Sequence, residues 1–264
     1  MDILQAIILG IVQGLTEFLP VSSSGHLIIA KELLGIETSS NIAFEIVVHA
    51  ATVLSTITVL WKYIFELLRK FFKFEWNPET QYICKLLISM IPIMIVGFFF
   101  KDQVEALFGE GILLVGCMLL VTALLLSLTH FIQYKQRKDV GWGSAFVIGI
   151  SQAIAVLPGL SRSGTTISTG LLLGVKKEEV AQFSFLMVLI PILGEMFLGL
   201  VGGEFSASMS GIPTASLAAG FVTAYLAGLF ACKVMIELVK RVSLLWFAGY
   251  CLIVGIIAII GGLC

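Results

Sequence analysis

The sequence predicts an all-α, polytopic membrane protein that contains an inverted-topology repeat. Three observations predict this class. Of the 264 residues, 58% are hydrophobic and only 12% are charged, and the mean hydropathy is +1.05. Soluble domains carry about 25% charged residues, so this chain lacks the polar shell that water requires. Apolar stretches of spanning length recur along the whole chain, and one interrupted pattern occurs twice. Lipid is therefore the expected solvent for most of the surface.

Composition also excludes several kinds of function. The formal net charge of -1 leaves no basic surplus for a nucleic-acid partner, so none is expected. The five cysteines are scattered without a CxxC pair, which is typical of small apolar residues and argues against zinc or disulfide ligands. Membrane lipids are the general partner that this composition predicts.

The apolar stretches define the expected elements. They cover 3–35, 43–61, 84–100, 112–132, 143–175, 180–202, 213–236 and 243–263. Six of them have the length of one bilayer crossing, which takes about 20 residues. The two longer ones are interrupted by LPVSSSG at 19–25 and by LPGLSRSG at 157–164. A helix does not continue through such residues, so each is predicted to form a re-entrant hairpin, two helices joined by a turn at membrane depth.

Positive charge predicts the orientation of these elements. Twelve of the sixteen basic residues fall in four loops, whereas the segments 36–42, 102–111 and 203–212 have none. The positive-inside rule places the four basic loops in the cytoplasm and the three other segments outside. The first hairpin then begins and ends outside and the second begins and ends inside. The two hairpins therefore enter the membrane from opposite faces.

An internal repeat supports this arrangement. Residues 6–35 align without a gap on residues 145–174, a shift of 139, and 11 of the 30 positions are identical. Each hairpin is followed by three spans, an odd number, so the second copy is inverted. Inverted repeats with broken helices form ligand sites near the membrane midplane. We expect one membrane domain, 1–264, with repeats at about 1–133 and 140–264.

The interrupted segments also carry polar groups suited to anions. Helix starts inside a membrane present backbone N–H groups and a favourable dipole to an anion. One such start is predicted after Ser22 and another after Ser161, with Ser163 and Thr166 nearby. Two of them facing each other would hold a diphosphate. The competing interpretation is that these hydroxyls are helix N-caps and that the glycines allow close packing.

Arg162 is the most informative residue because it lies at the tip of a hairpin. An arginine at membrane depth is costly and normally has an anionic partner. Its guanidinium matches phosphate oxygens in a bidentate manner, so we expect it to bind phosphate. The alternative is a structural ion pair with Glu17.

Glu17 and Gln13 lie four residues apart, on one face of the first predicted helix. They are candidate ligands for a divalent cation, Mg²⁺ or Ca²⁺, and Glu17 is alternatively a base or a satisfied buried acid. His26 lies three residues after Ser23, an arrangement typical of nucleophilic or acid–base catalysis. His49, Glu45, Glu195 and His130 also lie in or beside apolar stretches, and the pattern assigns them no role.

The segments LGIVQGLTEFLPVSSSGHLI (9–28) and LPGLSRSGTTIS (157–168) resemble the two signature motifs of the undecaprenyl-diphosphate phosphatase family, integral membrane enzymes linked to bacitracin resistance. The family's motifs are (E/Q)xxxE followed by PVSSxGH, and PGxSRSxxT. Many members have Glu at the position of Gln13, which weakens the case for an anionic metal ligand there. The functional positions of the family correspond to Gln13, Glu17, Ser23, His26, Ser161, Arg162 and Thr166.

The resemblance implies hydrolysis of a C55 isoprenyl diphosphate to inorganic phosphate and undecaprenyl phosphate, a lipid carrier recycled for peptidoglycan synthesis. It also implies a bacterial plasma membrane protein whose active site opens towards the outer face. Either Ser23 or His26 would be the nucleophile, and we favour Ser23 with His26 as its base. The competing functions are a secondary transporter or lipid flippase and a structural lipid-binding protein. Gly199, Gly202 and Gly203 would support a helix interface, which makes a homodimer a further expectation.

Overall fold

The computed structural model describes residues 1–36, 42–108, 111–132, 138–202 and 211–263. Secondary structure in these ranges is helical, apart from one isolated bridge between Lys138 and Val175. The helices are α1 (Ile3–Thr16), α2 (Ser23–Leu33), α3 (Ile42–Val59), α4 (Trp61–Phe71), α5 (Pro78–Phe99), α6 (Lys101–Phe108), α7 (Ile112–Phe131), α8 (Trp142–Ile154), α9 (Arg162–Leu172), α10 (Lys177–Met187), α11 (Leu189–Gly202), α12 (Thr214–Arg241) and α13 (Leu245–Leu263). The predicted all-α class is confirmed.

Four of these helices are long and apolar enough to cross a membrane: α5, α7, α12 and α13. Helix α5 starts at Pro78, earlier than the predicted 84, because Asn77 caps it and accepts a hydrogen bond from the Thr80 backbone N–H at 2.8 Å. Proline at the first helical position strengthens such a start. The chain is therefore a polytopic membrane protein.

Each interrupted stretch forms two helices, α1 with α2 and α8 with α9, as predicted. The second helix of each pair is capped by a serine: the Ser22 hydroxyl accepts from the Gly25 N–H at 3.2 Å, and the Ser161 hydroxyl accepts from the Gly164 N–H at 3.0 Å. The N-cap interpretation of these two serines therefore describes their hydrogen bonding.

One stretch predicted to be a single span, 180–202, is divided, and the stretch predicted at 43–61 forms α3 and is followed by a helix that was not predicted, α4. After Leu60 the chain bends by 78° from α3 into α4. The stretch 180–202 is split at Val188 into α10 and α11. Pro191 explains the second break, because proline lacks an N–H and its ring clashes with the carbonyl four residues earlier.

Close helix packing surrounds the hairpins. Helix α1 packs along α12, α8 packs on α5, and α7 packs along α13. A Cβ atom at Gly10 would lie 2.5 Å from the Gly220 carbonyl oxygen, and one at Gly149 would lie 2.4 Å from the Ser89 carbonyl oxygen. Glycine is required at both positions because the neighbouring backbone occupies the space of a side chain. Gly10 and Gly149 are matched positions of the sequence repeat.

Parts of the predicted loops lie outside the described residues, among them Lys135, Arg137 and Gly203. Asp139 follows the first of these segments, 133–137, and accepts a 2.7 Å hydrogen bond from Lys176. This ammonium group holds the pKa of the Asp139 carboxyl below its usual range. The contact fixes the start of α8 beside the start of α10.

Candidate active site

The two hairpin turns meet inside the protein. The Ser163 hydroxyl donates to the Leu19 carbonyl at 3.1 Å. A Cβ atom at Gly25 would lie 3.1 Å from the Gly159 Cα, and one at Gly164 would lie 3.3 Å from the Pro20 carbonyl oxygen. Motifs more than 100 residues apart in the chain therefore form one site.

Glu17 is the centre of that site. Its side chain is only 6% exposed, and its carboxylate forms an ion pair with the Arg162 guanidinium. The Ser23 hydroxyl donates to the same carboxylate at 2.6 Å, and the Gln13 amide donates to it at 2.8 Å. A carboxylate removed from water needs this kind of compensation, so the four side chains form one electrostatic unit.

Arg162 is the first residue of α9, at the turn that faces Glu17. The ion pair with Glu17 that the sequence analysis gave as the alternative is present. The Nη2 atom of Arg162 donates to the Glu17 carboxylate. A guanidinium has five N–H donors, so several stay available to an oxyanion in the cavity that Arg162 lines.

Ser22 positions the start of α2 through an unusual backbone conformation. Its φ is 70°, in the left-handed region that residues other than glycine seldom adopt. Such strain costs about 1–3 kcal/mol and is concentrated at functional sites. The Ser22 carbonyl accepts a 2.8 Å hydrogen bond from His26 Nδ1, which holds the turn around Ser23.

His26 and Ser23 do not pair with each other. Because His26 Nδ1 donates to a carbonyl, neutral His26 carries its proton there, and its Nε2 accepts from the Tyr250 hydroxyl at 2.7 Å. The Ser23 hydroxyl donates to Glu17 instead. In this arrangement Glu17, and not the expected His26, is the group placed to receive the serine proton.

The remaining residues of the second motif have two kinds of position: Ser161 and Thr166 hold the backbone of α9, and Ser163 lines the cleft. Ser161 is buried and caps α9, and Thr166 is fully buried. The Thr166 hydroxyl donates to the Arg162 carbonyl at 2.8 Å and lies 2.6 Å from the Ser184 hydroxyl. These contacts hold the backbone that carries Arg162. Ser163 is the predicted hydroxyl that reaches the cavity.

A small cleft opens beside this cluster. Glu17, Arg162 and Ser163 form one polar wall, which Thr52, Thr56 and Ser184 extend. Apolar side chains complete the cleft: Phe18, Val53, Phe185, Val188 and Ile192. Ser23, His26, Ser161 and Thr166 are not among its lining residues. The lining of the cleft is thus partly charged or polar and partly apolar, and Val188 and Ile192 extend it to the break between α10 and α11.

Three groups near the site were not predicted from the sequence. His49 Nε2 lies 3.7 Å from the Glu17 carboxylate, although the pattern assigned it no role. Tyr250 reaches His26 from α13, and Ser184 reaches Thr166 from α10. Only tertiary packing brings these residues to the hairpins, so spacing along the chain gave no signal for them. Of the other residues left without a role, Glu45 pairs with the buried Lys31.

The candidate site has few side-chain oxygens that could bind a cation. The described residues contain no group of three or more His, Cys, Asp or Glu side chains placed to hold a metal ion. Within the described part of the chain, Gln13 Oε1 is buried without a hydrogen-bond partner, and the Gln13 amide nitrogen donates to Glu17. Glu17 and Gln13 are therefore the side chains that would hold Mg²⁺, an ion that usually keeps several waters and binds substrate phosphates as well.

Fold and site together define an all-helical, polytopic membrane protein with a buried carboxylate–guanidinium–serine cluster suited to an anionic ligand. Residues 6–257 match the family described as bacitracin resistance protein BacA, and the chain belongs to that family. A protein of Bacteroides fragilis named undecaprenyl-diphosphatase is 57% identical over 263 residues, covering 98% of each chain. Proteins with the same name from Parabacteroides distasonis and Methanosphaera stadtmanae are 56% and 40% identical, over 97% and 98% of this chain and 96% and 98% of their own.

Proposed function

We infer that the protein hydrolyses undecaprenyl diphosphate to undecaprenyl phosphate and inorganic phosphate. The relatives named undecaprenyl-diphosphatase match nearly the full length of the chain. The observation that carries the inference is the contact of Arg162 and Ser23 with one buried carboxylate, Glu17, beside a cleft. The reaction recycles the lipid carrier for peptidoglycan synthesis and confers resistance to bacitracin.

The proposed topology has six spans and two re-entrant hairpins in one membrane domain, with inverted repeats at about 1–133 and 140–264. It is supported by the exact match of α2 and α9 under the 139-residue shift, and by the close α1–α12 and α8–α5 contacts at Gly10 and Gly149. The distribution of Lys and Arg supports the opposite orientation of the two hairpins. The family resemblance suggests that the site opens to the outer face of the bacterial plasma membrane.

Substrate binding is proposed to use both the polar and the apolar lining of the cleft. The diphosphate lies against Arg162 and Ser163, while the prenyl tail leaves along the apolar wall towards lipid. Ser22, Ser161 and Thr166 act by shaping the two helix starts, whose backbone N–H groups face negative charge favourably. Phosphoryl transfer needs mainly positioning and charge stabilisation, which a guanidinium supplies.

Ser23 is proposed to be the nucleophile. Its oxygen attacks the terminal phosphorus, the bond from that phosphorus to the bridging oxygen breaks, and undecaprenyl phosphate leaves with the electron pair. Glu17 takes the serine proton through the existing 2.6 Å hydrogen bond. Water then attacks the phosphoserine, and Glu17 returns its proton to the Ser23 oxygen as the bond from phosphorus to that oxygen breaks. Inorganic phosphate leaves with the water oxygen and its protons, and the hydroxyl and the carboxylate are restored. His26, held by Tyr250, orients the turn that presents Ser23.

A divalent cation, Mg²⁺ or Ca²⁺, is part of the proposal, with Gln13 and Glu17 as its protein ligands. The free Gln13 Oε1 atom supports this assignment. When bound, the ion would neutralise diphosphate oxygens.

The experiment is phosphate release from a prenyl diphosphate by the purified protein in detergent, without any gradient. A transporter or flippase that lacks hydrolase activity would release none. Arg162→Ala should abolish release while keeping the folded size-exclusion profile, and Arg162→Lys should also be poor, since a point charge does not reproduce the guanidinium. Arg241→Ala is the matched control, because Arg241 is an exposed arginine outside the site. Near-normal release by Arg162→Ala would refute the assignment.

A further inference from the structure

Helix α4 has a geometry that a spanning helix does not have. Its 11 residues extend about 17 Å, too short for a hydrocarbon core about 30 Å thick. It leaves the axis of α3 at 78°. When α3 crosses the bilayer, α4 therefore runs close to the plane of the membrane.

One face of α4 is apolar and points away from the protein. Trp61, Phe65, Leu68 and Phe72 follow the spacing of a single helical face, and each is at least 45% exposed. Another sector of the helix faces the core, where Leu67 is buried. The exposed stripe is thus additional to the surface that holds α4 on the protein.

A basic stripe runs beside the apolar one. One residue after each position of the apolar stripe, Glu66, which pairs with Lys70, takes one place, and three basic residues take the other places: Lys62, Arg69 and Lys73. Among the residues that the structure describes, none of these three has a carboxylate partner, whereas Lys70 pairs with Glu66 and Glu79. The free cations therefore border the exposed apolar face.

The loop after α4 continues the apolar surface. Phe74 is 88% exposed and has a φ of 55°, a left-handed conformation that is rare for a bulky side chain. Strained residues of this kind persist mainly where function needs them. Trp76, two residues later, is also exposed. An aromatic pair held outward beside a basic helix is typical of a surface that enters a lipid headgroup layer.

We propose that α4 and the loop 72–76 form a binding site for anionic phospholipids. The apolar stripe lies at the boundary of headgroups and acyl chains, and Lys62, Arg69 and Lys73 contact lipid phosphates. The positive charge of these three side chains selects anionic over zwitterionic headgroups. This site is separate from the hydrolytic cleft and does not depend on the proposed reaction.

The first test measures lipid preference by native mass spectrometry of protein released from nanodiscs containing phosphatidylglycerol and phosphatidylcholine. The double variant Lys62→Gln/Arg69→Gln should lose preference for phosphatidylglycerol by roughly 25-fold, at about fivefold for each basic residue near an anionic surface. The double variant Lys138→Gln/Lys177→Gln removes the same charge elsewhere and should keep the preference. An equal preference for phosphatidylglycerol in the two double variants would overturn the proposal.

The second test measures where Trp61 lies and needs no charge change. Fluorescence in nanodiscs is compared between the natural chain and Trp61→Phe, using phospholipids brominated near the headgroup end of the acyl chain. The difference signal, which belongs to Trp61, should be strongly quenched. A difference signal that bromine leaves unquenched, as expected for a face covered by a protein partner or open to water, would overturn the proposal.

Discussion

The ion pair between Glu17 and Arg162 can be separated into its structural and catalytic parts. Removing one partner of a buried pair costs about 3–5 kcal/mol, because the other charge stays buried without compensation. The Arg162 side chain is 28% exposed, so the arginine left alone in Glu17→Gln is partly solvated. We therefore expect a loss of about 2–3 kcal/mol for Glu17→Gln. Arg162→Gln should cost about 3–4 kcal/mol, since Glu17 is only 6% exposed.

The double variant Glu17→Gln/Arg162→Gln leaves neither charge unpaired. Its stability should return to within about 1 kcal/mol of the natural chain, a strongly non-additive result. Equilibrium unfolding in mixed micelles with rising sodium dodecyl sulfate, followed by tryptophan fluorescence, measures all four proteins. Phosphate release should be absent in Glu17→Gln, in Arg162→Gln and in the double variant. Additive losses in the double variant would refute the reasoning, because they would mean that the two charges do not compensate each other.

Three further outcomes follow from the site and the packing. Ser23→Ala should reduce phosphate release by at least about a thousandfold, since the nucleophile is gone, and should cost about 1.5–3 kcal/mol of stability, since Glu17 loses one donor; retained release would point to another nucleophile. Tyr250→Phe keeps the ring and removes one hydrogen bond, so kcat should fall about tenfold with KM unchanged, and an equal rise in KM would contradict a positioning role. Gly149→Ala should cost about 1–3 kcal/mol in detergent unfolding, because its Cβ would meet the Ser89 backbone, whereas Gly143→Ala, with nothing within 4 Å, should be neutral or slightly stabilising.

The hairpins could be predicted from the sequence because their cause is local. Proline, glycine and serine clusters at 19–25 and 157–164 interrupt apolar stretches too long for one span, and helices end at both places. The bend after Leu60 falls at the end of the predicted stretch 43–61, but α4 itself was not predicted, because its charged residues interrupt the apolar run. Pro191 marked the second break, but proline is also common inside membrane helices, as Pro92 in α5 shows.

The residues of the site were easier to predict than the hydrogen bonds that join them. Glu17, Ser23 and Arg162 are unusual in apolar surroundings, and composition alone identifies them. The hydrogen bond from Ser23 to Glu17, in place of a Ser23–His26 pair, depends on how α2 turns after the strained Ser22. Tyr250 is 224 residues from His26 in the chain, and only the packing of α13 against the first hairpin brings them together. Local sequence pattern contains no information of that kind.

The central claim is that Ser23 attacks a phosphate held by Arg162. Prenyl diphosphate labelled on its terminal phosphorus, mixed with the purified protein and quenched in acid within milliseconds, tests it most directly. The account predicts an acid-stable label that peptide mapping assigns to Ser23 and that disappears in Ser23→Ala. An acid-labile label on His26, or a full burst of labelled phosphate from Ser23→Ala, would contradict it.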